Sequence, residues 1–209
     1  MFRQVDLQIF RFINGEWTSP AMDRFMALVS DFGFWMIPLA CVGLGLLIFG
    51  KWRARIFLLL VALSILIGDT GVVQGIRAVV NRSRPWQTLE NVRYVDMRGV
   101  EIRTPAPPKE GRSFPSGHVC NNTAVALLAS IFYYPWGMLM WLWVVLMSYS
   151  RIYTGAHYPS DVLASIPIAI VYTCLIYLVT KSLLQKFAPK ILEKAVNKQS
   201  SPKHITAHK

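Results

Sequence analysis

Apolar residues along this chain come in long, nearly uncharged blocks separated by polar breaks. That pattern reads as membrane helices rather than as the half-apolar stripes of a soluble fold. The first block runs from about Phe34 to Phe49. Lys51, Arg53 and Arg55 make a short basic turn, and Ile56 to Val80 forms the second block. As a helix it would measure about 37 Å, enough to project its far end beyond the hydrocarbon. Gly68, Asp69, Gln74 and Gly75 interrupt it. A third block starts near Ser116 and ends at Tyr134, where Pro135-Trp136-Gly137 turns the chain into a fourth, from 138 to about 152. The fifth extends from about Ser160 to Thr180.

The flanks are of a different kind. Within the lead-in 1–33, residues 1–13 set Val5, Leu7, Ile9, Phe10, Phe12 and Ile13 among Arg3, Asp6 and Arg11. This predicts an amphipathic helix lying in the interface, ended by Asn14-Gly15. Residues 20–31 predict a second short helix leading into the membrane. Residues 81–114 read as a long polar loop rich in Arg and Pro. The segment 181–209 carries seven Lys and a single Glu, Glu193. Its first half, with Leu183, Leu184, Phe187 and Ile191, is expected on the membrane surface, and Asn197 onward is expected to be disordered.

Composition supports this division. Of 209 residues, 54% are hydrophobic and only 16% charged, too apolar for an ordinary soluble domain. The fold class predicted is all-α: one membrane-embedded helical bundle over 1–209, with about five to six transmembrane helices and amphipathic N-terminal helices. The net charge of +11 is distributed around the apolar blocks and in the tail. A lipid headgroup or phosphate fits that distribution better than nucleic acid. Cys41, Cys120 and Cys174 lie in or beside apolar blocks without metal-type spacing and read as buried small hydrophobes. No signal peptide is expected, because Asp6 and Arg11 interrupt the first apolar run. The basic turn 51–55 and the tail hold ten Lys/Arg against twelve elsewhere. Setting aside the arginines placed for chemistry, the compact turn and tail point to the cytoplasm. The breaks at 81–114 and 151–161 would then face outward.

Those outward breaks hold the chemistry. Arg77, Arg82, Arg84 and Pro85 follow the second block, Pro115-Ser116-Gly117-His118 opens the third, and Arg151, His157 and Asp161 link the fourth to the fifth. Ionisable groups at a membrane rim are costly unless they act on something. Ser116 is a good N-cap, and the helix start behind it favours an anion. His118, in that first turn, can give a proton to a leaving oxygen; a capped helix with an interfacial His is the bland alternative. One helical turn would stack His157 on Asp161, so that the carboxylate takes the Nδ1 proton and Nε2 is left to attack. Asp161 could equally cap a helix, beside Ser160. Arg77, Arg84 and Arg151 are the candidates for the phosphate, whose equatorial oxygens suit planar guanidinium forks. Arg82, Arg93, Arg98 and Arg103 read as loop or interface charges. Asp69, eight residues before Arg77, either braces it or is an unrelated interfacial carboxylate. Trp136, Trp141, Trp143 and Tyr149 read as anchors or packing.

Taken together, the three blocks resemble the signature of the type 2 phosphatidic acid phosphatase superfamily. They stand here as Arg77 to Arg84-Pro85, Pro115-Ser116-Gly117-His118, and Ser150-Arg151 to His157 and Asp161. The resemblance implies hydrolysis through a phosphohistidine with no metal or other cofactor. His157 would attack, His118 would protonate the leaving oxygen, and Asp161 would support His157. Arg77, Arg84, Ser116, Gly117 and Arg151 would bind phosphate. The family usually has Lys where this chain has Arg77, which keeps the charge but changes reach and donor number.

The expected function is that of an integral membrane lipid phosphatase, in a bacterial inner membrane with its site on the periplasmic side. By resemblance, the candidate substrates are undecaprenyl diphosphate, phosphatidylglycerophosphate, phosphatidic acid and lipid A phosphates, with the 81–114 loop contributing to headgroup choice. A lipid phosphotransferase with the same site and a catalytically silent lipid-binding protein are the alternatives. A haloperoxidase fits poorly with so short and apolar a chain, and a transporter fits poorly with charges clustered at one rim.

Overall fold

The computed structural model describes residues 2–103, 105 and 112–196. In order, the helices are α1 (Phe2–Arg11), α2 (Pro20–Ser30), α3 (Phe32–Phe49), α4 (Trp52–Ile67), α5 (Gln74–Val80), α6 (Pro85–Thr88), α7 (Gly117–Tyr133), α8 (Trp136–Tyr153), α9 (Pro159–Phe187) and α10 (Pro189–Val196). Between α6 and α7 lie two strands, β1 (Val92–Asp96) and β2 (Gly99–Arg103). Among the described residues, three stretches are long and apolar enough to cross a membrane: Phe32–Phe49, Trp52–Thr88 and Pro159–Phe187.

α7 is the centre of the bundle and packs against α4, α8 and α9. Its buried face is built from Val119, Cys120, Thr123, Ala124, Ala126, Leu128 and Ala129, small enough to let neighbouring helices approach closely. The tightest approach is at Gly137 of α8, where a Cβ would lie 2.2 Å from the Ala129 carbonyl oxygen. At the opposite extreme, α3 leans on α4 and buries none of its residues. Its apolar surface is what a lipid-facing helix presents.

Several expectations are amended here. A π-helical turn, Phe12–Glu16, extends α1 through Asn14-Gly15 instead of ending there. Asn14 is buried because its side chain joins two distant segments, donating to the carbonyls of Arg93 and Tyr153 at 2.8 Å each and accepting from Arg93 N–H. The helix is amphipathic as predicted; Leu7, Phe10 and Ile13 dock on protein, while Val5, Ile9 and Phe12 stay exposed. Phe10 packs with Val92, Val119, Ile152, Tyr158 and Val162. The loop 81–114 contains an antiparallel hairpin, so the fold is not purely helical. Register pairs Asp96 with Gly99 across Met97-Arg98, and the positive φ of Gly99, 134°, suits glycine at the turn exit. Val92 and Val95 fix the hairpin inward. Finally, α9 continues to Phe187, and α10 folds back so that Leu184 and Ile191 join the cluster of Ile56, Leu60 and Leu128. Leu184 and Ile191 are therefore packed on the bundle while Leu183 and Phe187 stay exposed, and the expectation for Asn197 onward lies outside the described residues.

A second π-helical turn, Gly68–Val73, joins α4 to α5. The Tyr172 ring presses on Gly68, where a Cβ would meet it at 2.6 Å. In a plain α-helix, residues eight apart differ by about 80° around the axis. A π-turn takes in one extra residue and removes most of that offset. Asp69 and Arg77 are thereby brought to one side, both against Gly117: a Cβ there would lie 3.0 Å from Asp69 Oδ1 and 3.4 Å from Arg77 Nη2.

Candidate active site

His157 lies in the turn between α8 and α9 and is 1% exposed. Its Nδ1 is 2.7 Å from the backbone oxygen of Ser113 and 3.8 Å from Asp161 Oδ2. A carbonyl can only accept, so Nδ1 carries the proton and Nε2 holds the free lone pair. The tautomer matches expectation, but the acceptor does not. The chain is extended at Tyr158 and α9 begins only at Pro159, so His157 and Asp161 never share a helical turn. Burial pushes the pKa of His157 down to about 4, against the opposing pull of Asp161, which leaves the ring neutral at physiological pH.

Asp161, fully buried, takes both parts allowed by the sequence. It accepts from Tyr158 N–H at 3.0 Å, capping α9, and its Oδ2 also accepts from the Ser113 hydroxyl. Its Oδ1 faces Arg82 Nη1 at 2.5 Å. Arg82 is therefore not a plain loop charge. The same guanidinium reaches Ser160 Oγ at 2.7 Å and Asp6 Oδ2 at 2.7 Å, and lies 4.2 Å above the Tyr158 ring. Asp6 in turn accepts from Ser160 N–H at 2.8 Å and Ser160 O–H at 2.6 Å. The amphipathic helix α1 is thus tied to the residue beside the nucleophile candidate. Arg93 is also structural: it pairs with Asp23 at 2.8 Å.

The second break supplies the N-terminus of α7. Ser116 occupies the N-cap position, yet its hydroxyl makes no cap bond. Its N–H donates to Ser165 Oγ at 2.8 Å, while its own buried Oγ has no protein partner among the described residues. Gly117 follows, and His118 opens toward the cavity that Arg151 also lines.

Arg77 donates from Nη2 to the Pro115 carbonyl at 3.1 Å, which joins the first break to the second. The Nε atoms of Arg77 and Arg151 are buried without a protein partner among the described residues. Arg84 precedes α6 and is close enough to feel the charges of Arg77 and Asp161; Arg151 feels Arg84 and Arg77. His118 feels Arg151, His157, Arg84 and Arg77. All eight candidate residues therefore meet at one end of the bundle. Three guanidiniums in one partly buried place repel one another, and an oxyanion with several acceptor oxygens would offset that cost.

Sequence reasoning missed Ser113, Asp6 and the bridging part of Arg82, as well as Arg112, which is close enough to influence Arg77 and Arg84. The nearest signal for Ser113 is its place just before Phe114-Pro115. Asp6 gave none beyond a carboxylate within an otherwise apolar helix.

The sequence model of the PAP2 superfamily matches residues 53–184. The chain is 29% identical over 168 residues to the lipid A 4'-phosphatase of Bacteroides thetaiotaomicron, covering 77% of this chain and 70% of that protein. It is 26% identical to the undecaprenyl-diphosphatase BcrC of Bacillus subtilis, with 93% and 95% covered. Among solved structures, that of Aquifex aeolicus LpxE superposes with a TM-score of 0.64 at 26% identity, covering 83% of this chain and 94% of that one.

Proposed function

The chain belongs to the PAP2 superfamily and is a membrane phosphatase; from that premise we propose that it removes phosphate from a membrane lipid through a phosphohistidine formed on His157. The observation that carries this reading is the seating of His157. Ser113 O holds the Nδ1 proton at 2.7 Å, so Nε2 is unprotonated and free to attack phosphorus. Arg77, Arg84 and Arg151, with Ser116 Oγ and the Gly117 N–H at the start of α7, hold the equatorial oxygens, where charge accumulates. As the Nε2–P bond forms, the bond from phosphorus to the lipid oxygen breaks, and His118 passes its proton to that oxygen. Asp161, close to the ring, stabilises the positive charge that phosphorylation places on it. Water then attacks the phosphohistidine, His118 recovers a proton, and phosphate leaves.

The charges needed for this sequence come from the chain itself. Asp161, the acidic group beside the nucleophile, is engaged by Ser113, Tyr158 N–H and Arg82, so we assign it to orienting rather than to metal binding. The bundle crosses the membrane five times, with α7 and α8 as short central spans. The site faces the side opposite the basic turn 51–55, in a bacterial inner membrane the periplasmic side. The substrate class is a lipid phosphate monoester or diphosphate, drawn from lipid A phosphates, undecaprenyl diphosphate, phosphatidylglycerophosphate and phosphatidic acid. Phosphate release from such a panel in detergent, with a chelator present, tests the reading. Wild type is expected to be active and His157→Ala to be inactive. Loss of activity on chelation, restored by a divalent ion, would overturn the metal-independent route; a phosphorylated acceptor lipid in place of free phosphate would identify a transferase.

A further inference from the structure

A cavity of about 530 Å³ opens beside the catalytic cluster. His118 and Arg151 line one end, and the other is walled by the α2–α3 junction with Asp31 and by the hairpin with Tyr94, Asp96 and Arg98. Its size is that of a small-molecule site, well beyond a single phosphate. His157, Arg77 and Arg84 do not line it. With Arg151 on the phosphate and His118 as the proton donor to the leaving oxygen, the cavity borders the phosphate position and extends from it on the side of His118, where the leaving group has room.

The first strand of the hairpin is held in place. Arg93 N–H and C=O both bond the Asn14 side chain, Val95 N–H reaches the Thr154 carbonyl at 3.3 Å, and the Arg93 carbonyl lies where a Cβ on Gly155 would be, at 2.6 Å. Asp31 gives one oxygen to Gly33 N–H at 2.8 Å, and Asp96 gives one to Arg98 N–H at 2.8 Å. Arg103, also in the lining, lies 3.5 Å over the Tyr94 ring and pairs with Glu101. The wall thus offers carboxylate acceptors, a guanidinium donor and an aromatic ring, with its second guanidinium already neutralised.

We propose that this cavity receives the leaving headgroup and selects a hydroxyl-rich, sugar-type one, with Asp31 and Arg98 as specificity-determining residues. The proposal rests on the phosphatase reading above. Sugar hydroxyls donate to carboxylates and accept from guanidinium. A diphosphate would instead release a lipid phosphate, a second anion that Arg98 attracts but that leaves Asp31 and Asp96 facing like charge instead of donors. A diacylglycerol leaving group would strand the charged wall without partners.

The test uses the full chain in detergent micelles with four substrates: a lipid-linked hexosamine phosphate, a polyprenyl diphosphate, phosphatidic acid and the small aryl ester p-nitrophenyl phosphate. Wild type is expected to favour the hexosamine phosphate at least tenfold in kcat/KM over the other two lipids. Asp31→Asn, which can still cap α3, and Arg98→Ala are each expected to raise KM for it five- to tenfold. Both should leave aryl phosphate turnover within twofold of wild type. Preference for the diphosphate or for phosphatidic acid would overturn the proposal, as would variants that slow aryl and sugar substrates alike. Failure of folded wild type to hydrolyse even the aryl phosphate would instead strike the phosphatase reading itself.

Discussion

Asp6 sits on the amphipathic helix α1, far from His157 in the chain, yet it should matter for catalysis. In Asp6→Asn the shape is kept but one oxygen becomes an NH2. The native carboxylate accepts from Ser160 N–H through Oδ1 and from both Ser160 O–H and Arg82 through Oδ2. The amide has only one accepting atom, so at least one donor is left facing another donor. A hydrogen bond to a charged group contributes about 1.5–3 kcal/mol. Because the Arg82 side chain is 30% exposed, water recovers part of that, and a net loss of about 1–2 kcal/mol at this junction is reasonable. Asp161 keeps Ser113 and Tyr158 N–H, so the disturbance reaches His157 only through the freed guanidinium. We expect kcat on a lipid phosphate to fall about tenfold, equivalent to about 1.4 kcal/mol, with KM within twofold. Arg82→Ala, which strips a partner from two carboxylates, should fall further, toward a hundredfold. The double variant should be no worse than Arg82→Ala, since both act on one network. Steady-state kinetics alongside thermal unfolding in the same detergent reads this out. A kcat within twofold of wild type in folded Asp6→Asn, or a change confined to KM, would refute the coupling of α1 to the nucleophile.

Further consequences concern packing, phosphate binding and acidity. Gly137→Ala places a methyl group into the Ala129 backbone; it should separate α7 from α8 and reduce the yield of folded protein, which size-exclusion chromatography in detergent detects. Arg77→Lys restores the family's usual residue and keeps the charge. It should retain activity to within about tenfold, whereas Arg77→Ala should lose at least a hundredfold in kcat/KM. The depressed pKa of His157 has a definite sign in stability. Above pH 6.5 the ring is neutral folded and unfolded; between 6.5 and about 4 only the unfolded chain takes the proton, so stability falls there and levels off below. The total is on the order of 3 kcal/mol. Urea unfolding across that window should show the slope in wild type and lose it in His157→Asn.

The long apolar blocks were legible because a membrane helix must be apolar over its whole length, and the helices follow them closely at Phe34–Phe49 and Ser116–Tyr134. The three chemical breaks were legible because each pairs ionisable residues with helix-breaking Pro or Gly at fixed spacing. What lay hidden depends on contacts far apart in the chain: Asp6 meets Ser160 across 154 positions, and His157 meets Ser113 across 44. The π-turn at Gly68–Val73 was hidden because Gly68, Asp69, Thr70 and Gln74 read as interruptions of the apolar block, and no residue type marks the one extra residue that the turn takes in. The hairpin was hidden for another reason. Val92-Arg93-Tyr94 and Val100-Glu101-Ile102 do alternate apolar with polar, but each run is short, and Arg93, Asp96, Arg98, Glu101 and Arg103 suit a polar loop equally well.

The central claim is that His157 carries the phosphoryl group. Wild-type protein mixed with a radiolabelled lipid phosphate, quenched within a turnover and digested, should yield an acid-labile, base-stable label. That label should map to the peptide containing His157 and be absent from His157→Ala. A label on any other residue, or turnover in folded His157→Ala equal to wild type, would contradict it.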